Sequence, residues 1–503
     1  MKTQSEWRLT DLPHFERVEN NGECDVAVIG GGVMGLTTAY LLKRAGRRVC
    51  VLERDELGAG DTGNTSAHLT YVTDLSLPEL VKTFGKEEAR LVWQGGEVAI
   101  GLIESIVERE GIECDFKRVP GFYHAPLSQS DDERAELQEI AALAADLGFL
   151  ADYLPTAPSL GRPAVKCADQ ARIHPLKYLG GLARAIEGDG SRVFTQTEVT
   201  EVTTDPLRVK AGQFELRCNY VVIGTHVPLM GKAGVVSSSI LQSKLSPYTS
   251  YVLTAELPTG THEEGLFWDT ADPYEYLRVD REAERDLVVF GGQDHKTGQV
   301  EDTEEQFRKL ENALQRRLPG ATVLHRWSGQ VVETNDGLPY IGEVANQQFS
   351  ATGFSGNGLT LGTLAALMAC DAALWRKNPW QDLLSVNRTK VRGGLWDYLK
   401  ENADYPYQLL KGWLTGRNAR SLSQVGPGEG KVLLLHGHNV ACSRDQDAKA
   451  VCVSAVCPHL GCLVGWNKAE KTWDCPCHGS RFRADGSVLA GPAESPLEVV
   501  DVS

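Results

Sequence analysis

The sequence has no apolar run approaching the ~20 residues a membrane-spanning helix needs, no internal repeat and no low-complexity tract. It is short of positive charge: 51 Lys and Arg stand against 67 Asp and Glu, a net charge of −16. A chain of that sign repels nucleic acid and anionic lipid, so neither is expected as a partner. The stretch Met1 to Asn20 is polar and mixed in charge, without the apolar core of a secretory signal. The reading is of a soluble, cytoplasmic protein with no membrane span. Its 503 residues are too many for one hydrophobic core and predict two or three domains.

The cysteines are unevenly placed. Cys24, Cys50, Cys114, Cys167, Cys218 and Cys370 show no paired spacing and read as small buried hydrophobes. Cys442, Cys452, Cys457, Cys462, Cys475 and Cys477 crowd into 36 residues, which in a cytoplasmic protein points to metal before a disulfide scaffold. Apolar residues recur at helical steps over Lys86–Glu110, Asp131–Leu147, Thr303–Leu318 and Asn357–Trp375. Strand-like runs cover Tyr248–Glu256, Glu275–Val279 and Leu287–Phe290. Three units are expected: residues 1–376, a helical linker at 377–425, and a small all-β unit at 426–503 that opens near Gly426-Pro427-Gly428.

Cys24–Ile29 reads as a buried strand, followed by G-x-G-x-x-G at Gly30, Gly32 and Gly35, with Val33 and Met34 opening a helix. A second strand, Arg48–Leu52, ends at Glu53 and Arg54, with Glu53 18 residues past Gly35. Such glycines let backbone approach a pyrophosphate, the helix N-terminus offers unpaired N–H groups to it, and the acid accepts ribose hydroxyls. The small-residue loop Gly58–Ala67, with Thr62 and Ser66, resembles the FAD-binding segment of the D-amino-acid oxidase / glycine oxidase superfamily. So do Thr197–Val202 with Val199, Tyr220–Thr225 with Gly224, and the closing motif Asp336–Gly342 followed by Gly353–Gly358. The resemblance covers residues 24–376. It implies FAD held in an α/β Rossmann-like domain interleaved with an antiparallel-sheet substrate domain. It further implies that Gly353, Gly356, Asn357, Gly358, Leu359 and Thr360 bring a helix N-terminus to the flavin pyrimidine edge, where reduction places negative charge.

The C-terminal segment contains Cys457-x-His459, fifteen residues, then Cys475-x-x-His478. Two thiolates and two imidazoles at this spacing suit a Rieske [2Fe–2S] centre, with Cys457 and Cys475 on one iron and His459 and His478 on the other. A zinc site of Cys₂His₂ type is the alternative, but the boxes His459-Leu460-Gly461-Cys462 and Cys475-Pro476-Cys477-His478-Gly479-Ser480 resemble Rieske proteins. By that resemblance Cys462 and Cys477 stand where respiratory Rieske proteins tie their loops with a disulfide, and both redox states stay open here. Ser480 resembles the hydroxyl donor to a bridging sulfide, Gly491-Pro492-Ala493 the third covering loop, and Phe482 replaces the Tyr of high-potential members.

The superfamily oxidises C–N bonds of amines and amino acids. Fusion to a one-electron cluster implies electrons passing from an amine or N-substituted amino acid through FAD and the cluster to an external acceptor, a one-electron protein or a quinone. A flavin/iron–sulfur reductase serving a partner enzyme is the second reading, although no further strand–G-x-G-x-x-G–helix offers a nicotinamide site. A Rieske oxygenase needs a mononuclear iron site, and no D/E…H-x₃₋₄-H cluster is present. Relatives of the glycine oxidase type hold a substrate carboxylate with Arg, yet Trp327–Val331 and Phe354–Asn357 contain none. Sarcosine-oxidase-like members carry an O₂-activating Lys, absent from Leu287–Phe290. Candidates for substrate contact are Tyr274, Tyr276, Arg278, His295 and Gln330. His68 does not align with histidyl-linked members and is not expected to anchor flavin.

Overall fold

The computed structural model describes residues 2–127, 133–227, 244–388 and 421–501. The expected linker helices fall mainly at 389–420, outside the described residues; 378–388 form turns and Leu422–Gln424 a single short helical turn.

A six-stranded sheet carries the dinucleotide fingerprint. Its order is Tyr340–Ala345, Gln348–Thr352, Tyr220–Ile223, Val26–Ile29, Val49–Leu52 and Arg192–Phe194, and all neighbours but the first pair are parallel. Val26–Ile29, Val49–Leu52 and Tyr220–Ile223 are buried at every residue. Parallel strands covered on both faces need such unbroken apolar runs. The helices Val33–Arg44 and Gly358–Ala373 pack together, with Gly362 facing Val33. Against the second of these lies Lys86–Glu110, where a Cβ at Gly95 would stand 2.7 Å from Leu364.

The second layer is a ten-stranded mixed sheet. Its centre is the long strands Leu245–Pro258, Arg285–Lys296 and Thr322–Thr334, with Leu245–Pro258 antiparallel to both others. It continues through Tyr276–Arg281 and Gly265–Asp269 to Lys117–His124. Helix Thr303–Arg317 covers one face, burying Phe307, Leu310 and Leu314.

The C-terminal unit is all-β, as its short strands predict: Gly430–Leu435, His438–Arg444 and Ala450–Ser454 form one sheet, and four short strands from Gly465 to Ala490 form another. Cys442 and Cys452 face each other in register and are joined by a disulfide that the metal reading of the cysteine cluster did not foresee. The six scattered cysteines of the longer unit are free and buried. No helix among the described residues is long and apolar enough to cross a membrane.

Candidate active site and metal centre

The fingerprint turn is made by contacts only glycine allows. Gly30 has φ +109°, and a Cβ there would lie 2.6 Å from Gly224 O; one on Gly35 would lie 2.0 Å from Gly30 O. Gly32 caps helix Val33–Arg44 without any side-chain hydrogen bond of its own, and the first amide of the helix, Val33 N, donates to Thr62 Oγ1 (3.3 Å). Glu53 braces the turn: Gly31 N donates to Oε2 (2.6 Å) and Asp55 N to Oε1 (2.8 Å). Burial raises the Glu53 pKa, and these two amides oppose the shift. Each carboxylate oxygen keeps a second lone pair, the capacity a ribose hydroxyl uses. Thr197 N donates to Glu53 O, which brings the segment leading to Val199 beside the acid.

A cavity of about 820 Å³ opens from this turn. Gly32, Val33, Met34, Thr62, Ser66 and Gly224 line one side, and Gly356, Asn357, Gly358 and Leu359 close it. Asn357 Nδ2 donates to Val72 O, and Gly356 N donates to Asp74 Oδ2 (2.7 Å). Helix Gly358–Ala373 starts without a side-chain cap, so its leading amides are free for an anionic group. Gly353 serves the backbone (φ +76°), packed where a Cβ would stand 2.2 Å from Thr334. Thr360 lies one turn inside, its hydroxyl buried and unpartnered.

The substrate candidates separate. Tyr274, Tyr276 and Gln330 line the cavity. Tyr276 OH shares a 3.0 Å hydrogen bond with Ser250 Oγ. Arg278, expected at the substrate, is 1% exposed and does not reach it. Its guanidinium binds both oxygens of Asp280 and donates to Ala67 O (2.8 Å) and Ile173 O (3.0 Å), so it ties strands together. His295, also expected there, points the other way: its Nε2 lies 3.0 Å from Tyr251 OH. Its neighbour Asp294 takes the cavity position, because successive strand residues face opposite sides. Arg54, expected near the cofactor, donates to Leu489 O of the C-terminal unit (3.1 Å).

Asp294 and Asp74 were missed by sequence reasoning; nothing but strand parity in Gly291-Gly292-Gln293-Asp294 could have flagged the first. Burial pushes the Asp294 carboxyl up to about 7, Ser250 opposes the shift, and Asp74 and Asp272 add to it. Asp294 Oδ1 and Gln330 Oε1 are buried without a partner, as expected where a bound group completes the wall. His68 lines the cavity between Ser66 Oγ (3.0 Å) and Leu277 O (3.3 Å); burial lowers it to about 4, so it is neutral.

In the C-terminal unit two loops converge. Cys457 and Cys475 are buried, free of any disulfide, and close enough to shift one another, Cys457 downward and Cys475 upward. The His459 and His478 rings stand 4.9 Å apart between centroids. Turns shape the loops: Gly461 N bonds Cys457 O, and Gly479 N bonds Cys475 O, both at 3.0 Å. Cys462 and Cys477 form a disulfide between them. Ser480 Oγ accepts from Ala493 N (3.0 Å), and its hydrogen bond to Cys457 favours the thiolate. A pair of thiols and a pair of imidazoles on these two loops are the donor set of a mixed-ligand diiron cluster.

The two units meet at this cluster site. Gln330 Nε2 donates to Gly479 O (2.8 Å), Gln299 Nε2 to Pro476 O (3.1 Å) and Ser328 N to Glu470 Oε1 (2.9 Å). Gly298, at φ +78°, lies so near that a Cβ would stand 2.8 Å from the Cys475 carbonyl carbon.

Comparison with known proteins agrees with both halves. The family model of FAD dependent oxidoreductases matches residues 25–372, and that of the Rieske [2Fe-2S] domain matches residues 417–501. YhfW of Bacillus subtilis, described as a Rieske 2Fe-2S iron-sulfur protein, is 31% identical over 99% of this chain and 97% of its own. Gamma-glutamylputrescine oxidoreductase of Escherichia coli is 26% identical over 71% of this chain and 85% of its own. Glycine oxidase from Geobacillus kaustophilus shares the fold, with a TM-score of 0.61 at 19% identity over 73% of this chain and 99% of that one. The glycine turn, the two helix N-termini on the cavity and the paired Cys–His loops thus sit in a chain that belongs to the FAD dependent oxidoreductase family and carries a C-terminal Rieske [2Fe-2S] domain.

Proposed function

We propose that the protein oxidises the C–N bond of an amine and sends the electrons through its own cluster to an external one-electron acceptor, a protein or a quinone. When bound, FAD supplies the two-electron oxidation and the [2Fe–2S] centre the one-electron relay. The substrate carbon loses a hydride equivalent, its nitrogen loses a proton, and the imine left behind is hydrolysed by water to a carbonyl compound and a free amine. Gly32 and the helix at Val33 would hold the pyrophosphate, and the amides at Gly358 to Thr360 would steady negative charge at the pyrimidine edge. Cys457, Cys475, His459 and His478 would hold the irons. Asp294 Oδ1, raised to about 7, takes the ammonium proton.

The observation that carries this reading is the position of Gln330, which lines the cavity and donates to the carbonyl next to His478. The lack of Lys or Arg on the cavity wall among the described residues supports it, since neither a carboxylate clamp nor a cationic oxygen activator is offered. The experiment is anaerobic mixing of the loaded protein with a panel of amines, following flavin bleaching and then the EPR signal of a reduced Rieske centre. Bleaching followed by that signal is expected; a panel in which no amine bleaches the flavin sinks the C–N reading.

A further inference from the structure

Acids line the cavity: Asp74, which accepts from Gly356 N, then Asp272 and Asp294, with Glu136 and Glu139, both exposed, along the helix Arg134–Asp146. Asp269 also lines it, but its Oδ1 is taken by the amides of Ala271 and Glu275. The wall's histidines do not offset this charge: His68 is neutral, and His226 lies 3.7 Å from Asp61. Tyr276, Trp268 and Tyr123 line the cavity in a row across the sheet, Tyr276 paired with Trp268 and Trp268 with Tyr123, whose rings stack at 6.3 Å.

This arrangement rejects one class of substrate and suits another. A carboxylate entering here would be desolvated beside other carboxylates, with no Lys or Arg among the described lining residues to pair with. An ammonium meets the reverse situation. Asp294 is half-buried, with its Oδ1 buried and lacking any partner, and Asp74 and Asp272 are close enough to disfavour its charge. A cation bound there removes that repulsion and supplies the missing donor. Aromatic faces accept both methylenes and the rim of a cation.

We infer that the substrate is a diamine or polyamine without a free carboxylate: one ammonium on Asp294, the methylene chain along Tyr276, Trp268 and Tyr123, and the second ammonium on Glu136 and Glu139. This deepens the proposed amine oxidation and rests on it. The two acidic stations account for features a monoamine leaves unused, namely the outer pair and the apolar stretch leading to it.

The test is calorimetric titration of the oxidised, FAD- and cluster-loaded full chain under argon with 1,4-diaminobutane, n-butylamine and sarcosine. Each charged contact is worth enough for about ten-fold tighter binding of the diamine than of butylamine, weakening as salt is added. Sarcosine gives no heat. Asp294→Asn weakens the diamine about ten-fold or more. The double variant Glu136→Gln/Glu139→Gln, on an exposed helix face, brings the diamine down to butylamine's affinity and leaves butylamine unchanged, so the inference stays open to test if Asp294→Asn does not fold. Sarcosine binding more tightly than the diamine overturns the inference, as does unchanged diamine affinity in the rim variant. Diamine binding that bleaches no flavin upholds the cation site and removes amine oxidation; bleaching by sarcosine with no diamine binding does the opposite.

Discussion

Gln330 and Gly479 join the two halves of the molecule: the amide Nε2 of one donates to the carbonyl of the other across 2.8 Å, with Thr297 Oγ1 at 3.4 Å from the same nitrogen. One side chain thereby touches the wall of the flavin cavity and the loop that carries His478. Gln330→Leu keeps the volume and strands the Gly479 carbonyl, a loss of about 1–3 kcal/mol at the contact. The expected result is normal flavin bleaching by substrate and slower appearance of the reduced-cluster EPR signal in rapid-freeze samples. Equal rates in parent and variant would show that electrons do not depend on this contact.

Gly298 is the second joint. Gly298→Ala places a methyl 2.8 Å from the Cys475 carbonyl carbon and Pro476 N, at a φ of +78° that alanine disfavours. The strain alone is about 1 kcal/mol or more. The C-terminal unit must shift outward, so limited proteolysis should separate the halves faster while the FAD absorbance per chain is unchanged.

Asp294 sets a pH dependence. Its folded value of about 7 lies above the usual carboxyl value of 3.8, so the folded state holds the proton more tightly than the unfolded state. The resulting destabilisation is absent below the unfolded value, grows as pH rises, and is complete above 7. Asp294→Asn should therefore match the parent in Tm near pH 4 and exceed it by about 2 °C or more at pH 8. A constant difference across that range would place the cause elsewhere.

The Cys462–Cys477 disulfide ties the two cluster loops together, whereas Cys442–Cys452 links neighbouring strands away from the cluster. Removing a native disulfide costs about 2–5 kcal/mol in small domains. Cys462→Ala/Cys477→Ala should lose its cluster absorbance several-fold faster on mild heating, with FAD retained, and Cys442→Ala/Cys452→Ala should keep the cluster longer than the first pair does.

What the sequence determined by itself is whatever depends on local spacing. Gly30, Gly32 and Gly35 between an all-apolar strand and a helix, and Cys-x-His with Cys-x-x-His, encode turns and ligand sets whose geometry is short-range. The same locality made the helices Lys86–Glu110 and Thr303–Arg317 readable from their periodicity. What only the tertiary structure decided is which side chains from distant strands share the cavity. Asp294 and His295 are neighbours in sequence, yet the pleat sends one into the cavity and the other to Tyr251. Arg278 and Arg54 carry charges that suggested ligands, and long-range partners, Asp280 and Leu489 O, claim them first. The seating of Gly479 on Gln330 joins residues 149 positions apart. No local pattern records such a contact, because its position follows from how whole sheets pack and not from the residues on either side.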